Sequence, residues 1–430
     1  MTSLNNELNC TSIEALVPRG LIGKTSDIVS APVSEEGLCP IKVACKNGLI
    51  SSIEIIKDKS KYPSQLLLPR FLETHAHLDK AFTWASAKNL NGTYQNALSV
   101  NLKLNQKRTF NSVKFNAERA IELALKNGYR AIRSHVDSFG IGSEETWEAL
   151  LDLQHKWEDF IELQLVALVP IEYWTTGEGK LFAARIAQKN GLMGGVLVPP
   201  LNKPLTSKYL LNMFILANDF GCPIDIHIDE SQIDPGAGLT QLIKVLKNIT
   251  MNVPITCSHS SSMGLLPERK LLHLANELAR YNVNVISLPL TNAWLLGRKY
   301  ATTPINRPIA PIHQLQKSGV TVAIGGDNVR DAWLPIGNFD PISLMSFSMP
   351  LAQLAPWNRL GLAPFTTAAA KLMQIKWNGT IEKGAPANLL LLEGTSWSEV
   401  LSRNASRKIL IDGQWLKSNK FYENNPKGNL

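Results

Sequence analysis

Short apolar runs rich in Val, Ile and Leu alternate along the chain with longer stretches whose apolar residues recur at helical spacing. The short runs are "QLLLPRFLETH", "YRAIRSHVDS", "IELQLVALVP", "GLMGGVLVPP", "PIDIHIDE", "VPITCSHSSS", "VNVISLPL" and "VTVAIGGDN". Each is of roughly strand length. Between them, "SVKFNAERAIELALKNG" and "SKYLLNMFILANDFG" read as amphipathic helices stopped by Gly128 and Gly221. "PERKLLHLANELARYN" reads as another, with Pro267 suited to its first turn. Strand then helix, about eight times, predicts an α/β fold, a (β/α)8 TIM barrel spanning residues 66–378. A doubly wound open sheet is the structural rival. It would carry a glycine-rich phosphate loop after its first strand, and none stands there.

The two ends follow a different pattern. Residues 1–65 contain "PIKVACKNGLISSIEIIKD", two β-like runs around the hairpin signal "KNG". Residues 379–430 contain "GTIEKGAPANLLLLEG" and "RKILIDGQWL", again β-like with turn residues between. Both ends are expected to pair into one small β-sandwich domain beside the barrel.

The 430 residues, 44% hydrophobic and 19% charged, supply ample material for such a core. The formal charge of +8 is scattered, and its densest runs, "KDKSK" and "KSNK", lack interleaved aromatics, so no nucleic-acid partner is expected. Cys10, Cys39, Cys45, Cys222 and Cys257 are odd in number and irregularly spaced, without a C-x-x-C, which argues against a disulfide framework and for a reducing compartment. The opening "MTSLNNELNC" lacks a signal pattern and no apolar span reaches membrane length, so a cytoplasmic protein without a membrane partner is expected.

Barrels of this kind place reacting groups at the C-terminal ends of their strands. There the runs end in His75 and His77, in His135 and Asp137, in His227, Asp229 and Glu230, in His259 and in Asp327. Five of the eight histidines lie at these ends, while His155, His273 and His313 fall in predicted helices. Residues two apart on a strand share a face, so His75 and His77 can aim both imidazoles at one point. Neutral imidazoles suit zinc or ferrous iron. A nitrogen from His227 and an oxygen from Asp327 would complete a site for one divalent ion with room for a water, whose pKa the metal would lower. Taken singly, H-x-H, "HIDE" and "GGDN" are equally readable as chance spacing, solvated charge and turn. Their common place at strand ends in one architecture favours the metal site. For His135, hydrogen bonding within the fold and a catalytic role both stay open.

"FLETHAHLDKAF", "RSHVDS", "DIHIDES", "SHSSSMG", "SLPLTNAWLLGR" and "IGGDNVRDAWLPIGNFDP", in that order, resemble the amidohydrolase superfamily and its cytosine deaminase branch, over about residues 40–395. The resemblance implies that His75, His77, His227 and Asp327 hold one divalent metal, Zn2+ or Fe2+. It implies that Glu230 shuttles a proton to a ring nitrogen, that His259 orients and polarises the hydroxide, and that Asp327 also takes a proton from the attacking water. Two-metal members carry a lysine on strand four, and "LMGGVLVPP" has none, which implies a single metal. Ile171, Glu172, Asn328 and Trp333 fall in substrate-binding positions. Three departures stand there: Ile171 replaces a glutamine that reads an amide edge, Pro199-Pro200 replaces Pro-His, and Asn328 replaces a second acid. Relatives are often oligomeric, so a homo-oligomer is expected.

The expected activity is therefore hydrolytic deamination of a cyclic amidine or amino-heterocycle, a small-molecule nitrogen heterocycle, with altered substrate reading. Hydrolysis of a cyclic amide, as in dihydropyrimidinase-like relatives, is the alternative, and the missing strand-four lysine argues against it. A catalytically idle barrel that serves as a binding protein is a third, against which the complete ligand set and acid speak.

Overall fold

The computed structural model describes residues 11–23, 31–402 and 405–417. Its strands are β1 (Thr11–Pro18), β2 (Leu38–Lys46), β3 (Leu49–Ile55), β4 (Gln65–Pro69), β5 (Phe71–Ala76), β6 (Tyr129–Asp137), β7 (Glu162–Leu168), β8 (Leu192–Leu197), β9 (Ile224–Ile228), β10 (Ile255–His259), β11 (Val283–Ser287), β12 (Val322–Ile324), β13 (Leu389–Glu393), β14 (Arg407–Ile411) and β15 (Gln414–Trp415). Strands β5 to β12 form one eight-stranded sheet in sequence order, parallel at every pairing. It closes on itself through a parallel bridge between Ala76 and Asp327. The expected TIM barrel is the observed one, and all eight apolar runs supply its strands. Such strands are covered on both faces, which is why they read as unbroken apolar runs.

The predicted helices stand between the strands. Phe110–Asn127 and Lys203–Phe220 end on Gly128 and Gly221, both in the left-handed region, as a glycine stop requires. The helix Glu268–Arg280 takes Pro267 as its N-cap rather than in its first turn. Among the described residues no helix is long and apolar enough to cross a membrane. Cys39, Cys45, Cys222 and Cys257 are buried, and among the described residues no disulfide joins them, while Cys10 and the end of "KSNK" lie outside the described residues.

The chain ends meet in a second sheet of seven strands, ordered β15-β14-β13-β4-β1-β2-β3. Asn47 and Gly48, both at positive φ, make the two-residue turn between β2 and β3 that "KNG" predicts. Strand periodicity sorts its leucines. Leu67, Leu389 and Leu391 join Ile13, Val17, Ile41 and Val43 in one core. Leu66, Leu68, Leu390 and Leu392 point the other way and join the barrel core.

"QLLLPRFLETH" was expected to be one strand and is two. Gln65–Pro69 pairs antiparallel with β13 in the end sheet, and Phe71–Ala76 opens the barrel. The expected division at residue 66 therefore cuts through β4. Arg70 sits between them, buried, donating to the carbonyls of Tyr129 and Phe160 at 2.5 and 2.9 Å and to the Asn388 side chain at 3.2 Å. Those partners are distant in sequence, so the hydrophobic pattern carries no trace of the break.

The barrel seam has its own fastening. Asp327 N–H donates to the His75 carbonyl at 2.8 Å, and the Glu73 carboxylate accepts from Gly326 N–H at 2.8 Å, His75 N–H at 3.2 Å and the Tyr129 hydroxyl at 3.1 Å. Burial pushes the Glu73 carboxyl up to about 7, against the pull of those three donors. As pH rises from the ordinary glutamate range to about 7, the unfolded chain loses this proton first, so the native state loses stability across that window. In Glu73→Gln the amide can keep the three bonds, Tyr129 turning from donor to acceptor. That variant is expected to match the wild type near pH 4 and to exceed it by about 3 kcal/mol above pH 7. Urea denaturation across this range checks it; a difference independent of pH would refute the assignment.

Candidate active site

At the mouth of the barrel, five imidazoles gather with the carboxyl groups of Asp327, Asp225 and Glu230. His75 is the last but one residue of β5, and His77 follows just beyond the strand. His77 Nδ1 donates to the His135 carbonyl at 3.2 Å, which leaves Nε2 as a lone pair. His75 Nδ1 meets Ser258 Oγ at 2.8 Å, and that hydroxyl donates to Asp225 Oδ1 at 2.7 Å. The serine proton is thereby committed, so His75 must donate to it, and its Nε2 is also a lone pair. Asp225 is in turn paired with Arg133 at 2.9 Å.

The free ends converge. His75 Nε2 and His77 Nε2 lie 3.5 and 3.3 Å from Asp327 Oδ1, and His77 Nε2 lies 3.4 Å from His227 Nε2. Buried His75 Nε2 and both Asp327 carboxylate oxygens have no hydrogen-bond partner. Unpartnered acceptors facing one another repel unless a cation stands among them. Ligand atoms on bonds of about 2.0–2.1 Å to a tetrahedral zinc stand about 3.3–3.4 Å apart, which matches these separations. Protonation agrees. Burial, reinforced by the neighbouring imidazoles, drives His75 and His227 well below the usual histidine range, so both are neutral at pH 7. Burial alone would raise Asp327, but the His77 and His259 imidazoles beside it hold it below the usual carboxylate range. Neutral imidazoles and an ionised carboxylate are what a divalent cation needs. His75, His77, His227 and Asp327 could hold one.

His259 stands beside this group; one ring nitrogen each of His75, His227 and His259 lie within 4.8 Å of one another. The Asn292 amide donates to His259 Nδ1 at 2.9 Å, so the imidazole proton is on Nε2, buried and without a partner. His259 is thus a hydrogen-bond donor at the site. Burial lowers its pKa to about 4. Glu230 Oε1 is 3.5 Å from the same ring, and the Tyr94 phenol donates to the Glu230 carboxyl. Burial, with the charge of Asp327 second, pushes Glu230 well above the usual carboxylate range. Asp229 faces elsewhere: its oxygens accept from the amides of Gly238 and Leu239 at 2.7 and 3.0 Å, at the start of the helix Ala237–Leu246. His135 stacks on His75 with centroids 3.9 Å apart, and neither of its ring nitrogens is hydrogen-bonded.

The cluster opens into a cavity of about 420 Å³. Glu172, Asn328 and Trp333 line it. Ile171 does not. It is 3% exposed and packs against Gly195, because the short turn Ile171–Thr175 after Pro170 carries it into the barrel wall and leaves Glu172 at the cavity. The far wall is one face of the helix Tyr94–Asn105, through Tyr94, Leu98, Asn101, Leu102 and Asn105. Those positions recur at helical spacing and could have been found by periodicity. Ser258, Asp225 and Lys80 carry no such signal.

Compared with known proteins, residues 117–415 match the amidohydrolase family. The chain is 26% identical over 391 residues to a pterin deaminase of Rhizobium rhizogenes (strain K84 / ATCC BAA-868), covering 88% of each. It is 24% identical over 365 residues to an N-isopropylammelide isopropyl amidohydrolase of Pseudomonas sp. (strain ADP), covering 83% of this chain and 87% of that one. In fold it resembles a 5-methylcytosine deaminase from Klebsiella pneumoniae, with a TM-score of 0.80 and 22% identity over 95% of this chain and 97% of that one.

The Ser258 bond to His75 yields a test. Ser258→Ala is expected to weaken zinc binding about 10–100-fold, because the ring loses the partner that fixes its tautomer. Competition with a chelating dye measures this; an unchanged affinity would remove Ser258 from the site.

Proposed function

The chain belongs to the amidohydrolase family, and from that premise we propose that it is a metal-dependent hydrolase that deaminates an amino-substituted nitrogen heterocycle. The observation that carries this reading is the buried Glu230 carboxyl, 3.5 Å from the His259 ring and facing the same cavity as His77, His227 and Asp327. Relatives named for a pterin and for N-isopropylammelide support a cyclic nitrogen substrate. The fold neighbour named for 5-methylcytosine agrees. β8 offers no lysine, which supports one metal rather than two.

His75, His77, His227 and Asp327 would hold a divalent cation, zinc or ferrous iron, which would supply a water of lowered pKa as the nucleophile at pH 7. The chain's residues do the rest. Glu230 gives its proton to the ring nitrogen beside the amidine carbon, so that the carbon accepts the attacking oxygen. His259 Nε2–H donates to that oxygen and fixes its direction. Asp327 takes the water's proton and passes it to the amino group, which leaves as ammonia, and the added hydroxyl returns its own proton to Glu230 as the C=O bond forms. The carbon exchanges its C–N bond for a C=O bond, with one water consumed. The amidine must enter with its ring nitrogen toward Glu230, which sets one orientation in the cavity.

Zinc- or iron-loaded protein is expected to release ammonia from at least one class among amino-pyrimidines, triazines and pterins. Glu230→Gln should bind the same amount of metal and lose about 10²–10⁴-fold in kcat. Protein inert to the whole panel that opens dihydrouracil or hydantoin would replace this reading with cyclic amide hydrolysis. Loss of metal from Glu230→Gln would show that Glu230 is a ligand and not the acid.

A further inference from the structure

The stretch that supplies His75 and His77 runs on through Asp79 and Lys80, and the chemistry above leaves Lys80 unused. Lys80 is buried, yet it lines the same cavity as His227, Glu230 and Asp327. Its ammonium donates to Asp137 Oδ1 at 2.8 Å. Asp137 Oδ2 accepts from Arg108 and from Asn101, each at 3.0 Å. Arg108 also holds Asp79 at 3.0 Å, and Asp79 accepts the Asp137 N–H at 3.0 Å. Two cations and two carboxylates thus lock into one neutral, buried block. Burial alone would favour the neutral amine, but Asp137 and Asp79 outweigh it and keep Lys80 protonated. An ammonium has three N–H donors. Among the described residues the bond to Asp137 is the one side-chain bond it makes, so its remaining donors are left for the cavity. Asp137 is pinned from two other sides and cannot follow a substrate, which makes Lys80 a fixed donor.

We propose that Lys80 selects the substrate by donating to a ring carbonyl oxygen, and so that the heterocycle is an amino-oxo ring, its carbonyl on Lys80 and its amidine toward Glu230. This rests on the reading of the site as a deaminase. Ile171 stands where the resembled branch has a glutamine that reads the amide edge, and it is packed away from the cavity, so that task is open. A ring without an acceptor would cover the ammonium and leave its donors unpaired, which penalises it. A point charge on a flexible stem has no fork to match, so Arg in its place should serve only in part.

Two measurements test this on the full, metal-loaded chain. Calorimetry compares the binding of pyrimidinone with that of pyrimidine. Wild-type protein should favour pyrimidinone on the order of 100-fold, the scale of one hydrogen bond from a charged donor. Lys80→Met should reduce that ratio to near one, and Lys80→Arg should restore part of it. The kcat/KM ratio for ammonia release from isocytosine over aminopyrimidine should collapse in parallel. Metal content and the urea midpoint of each variant separate lost selection from lost structure. A ratio that survives Lys80→Met with metal retained overturns the proposal, as does equal weakening of both rings. If ammonia is released from neither amino ring while the binding ratio behaves as stated, Lys80 reads a carbonyl but the deaminase reading fails.

Discussion

The hydrogen bond from Asp327 N–H to the His75 carbonyl, 2.8 Å long, is where the parallel sheet closes, and the site depends on it. Closure is a steric matter. A Cβ on Gly325 would stand 2.8 Å from His75 Cβ, and one on Gly326 would stand 2.8 Å from a Glu73 carboxylate oxygen. Two consecutive glycines let the end of the last strand come this close to the first. Once it does, the Asp327 carboxylate and the imidazoles of His75 and His77 are neighbours because their backbones are neighbours. The left-handed backbone at Asp327, φ 64°, completes the turn that points the carboxylate inward. Residues held in that region persist where surrounding structure over-determines them, and the seam does so here.

Closure also dictates charge. Ring centroids of the five imidazoles lie as close as 3.9 Å, and all five rings are buried. More than one positive ring there would be costly, so burial and mutual repulsion keep His75 and His227 neutral. Asp225 is neutralised by Arg133, and burial raises the Glu230 carboxyl well above the usual range. Asp327 is left as the unbalanced anion of the cluster, facing lone pairs. A divalent cation answers both conditions, the excess of acceptors and the residual negative charge.

Much of this was legible in the sequence because it follows from local rules. Strands covered on both faces must be apolar throughout, helices in such a barrel must show a 3.6-residue stripe, and chemistry collects where strands end. Those rules yield eight strands, the glycine stops at Gly128 and Gly221, and the turn at Asn47-Gly48. What escaped was set by partners far along the chain. Arg70 divides an apolar run because Tyr129, Phe160 and Asn388 come to it in space. β1 was not singled out; its role follows from pairing with β2 and β4. Ser258 and Asp225 orient His75 through hydrogen bonds that no spacing encodes, and Ile171 left the cavity because a short turn rotated it by one position.

The adjacent pairs Asp229-Glu230 and Ser258-His259 show why strand period alone misassigns reacting groups. On an extended strand Asp229 would share the inner face with His227, and Glu230 would turn away. The backbone does not stay extended: Asp229 has φ 55° and His259 has φ 66°. The left-handed turn at Asp229 sends its carboxylate to the amides of Gly238 and Leu239 and brings Glu230 into the cavity. At His259 the same device lets Ser258 reach His75 and still returns the next imidazole to the mouth. Two carboxylic acids one residue apart thus acquire opposite tasks. Asp229 anchors a helix start, and its two amide bonds partly offset the burial that raises it to about 6. Glu230 has the Tyr94 phenol in place of two amides, and burial and the charge of Asp327 raise it well above the usual carboxylate range. The strained turn therefore selects which carboxyl can do chemistry, and the helix start that holds Asp229 in place stabilises the turn.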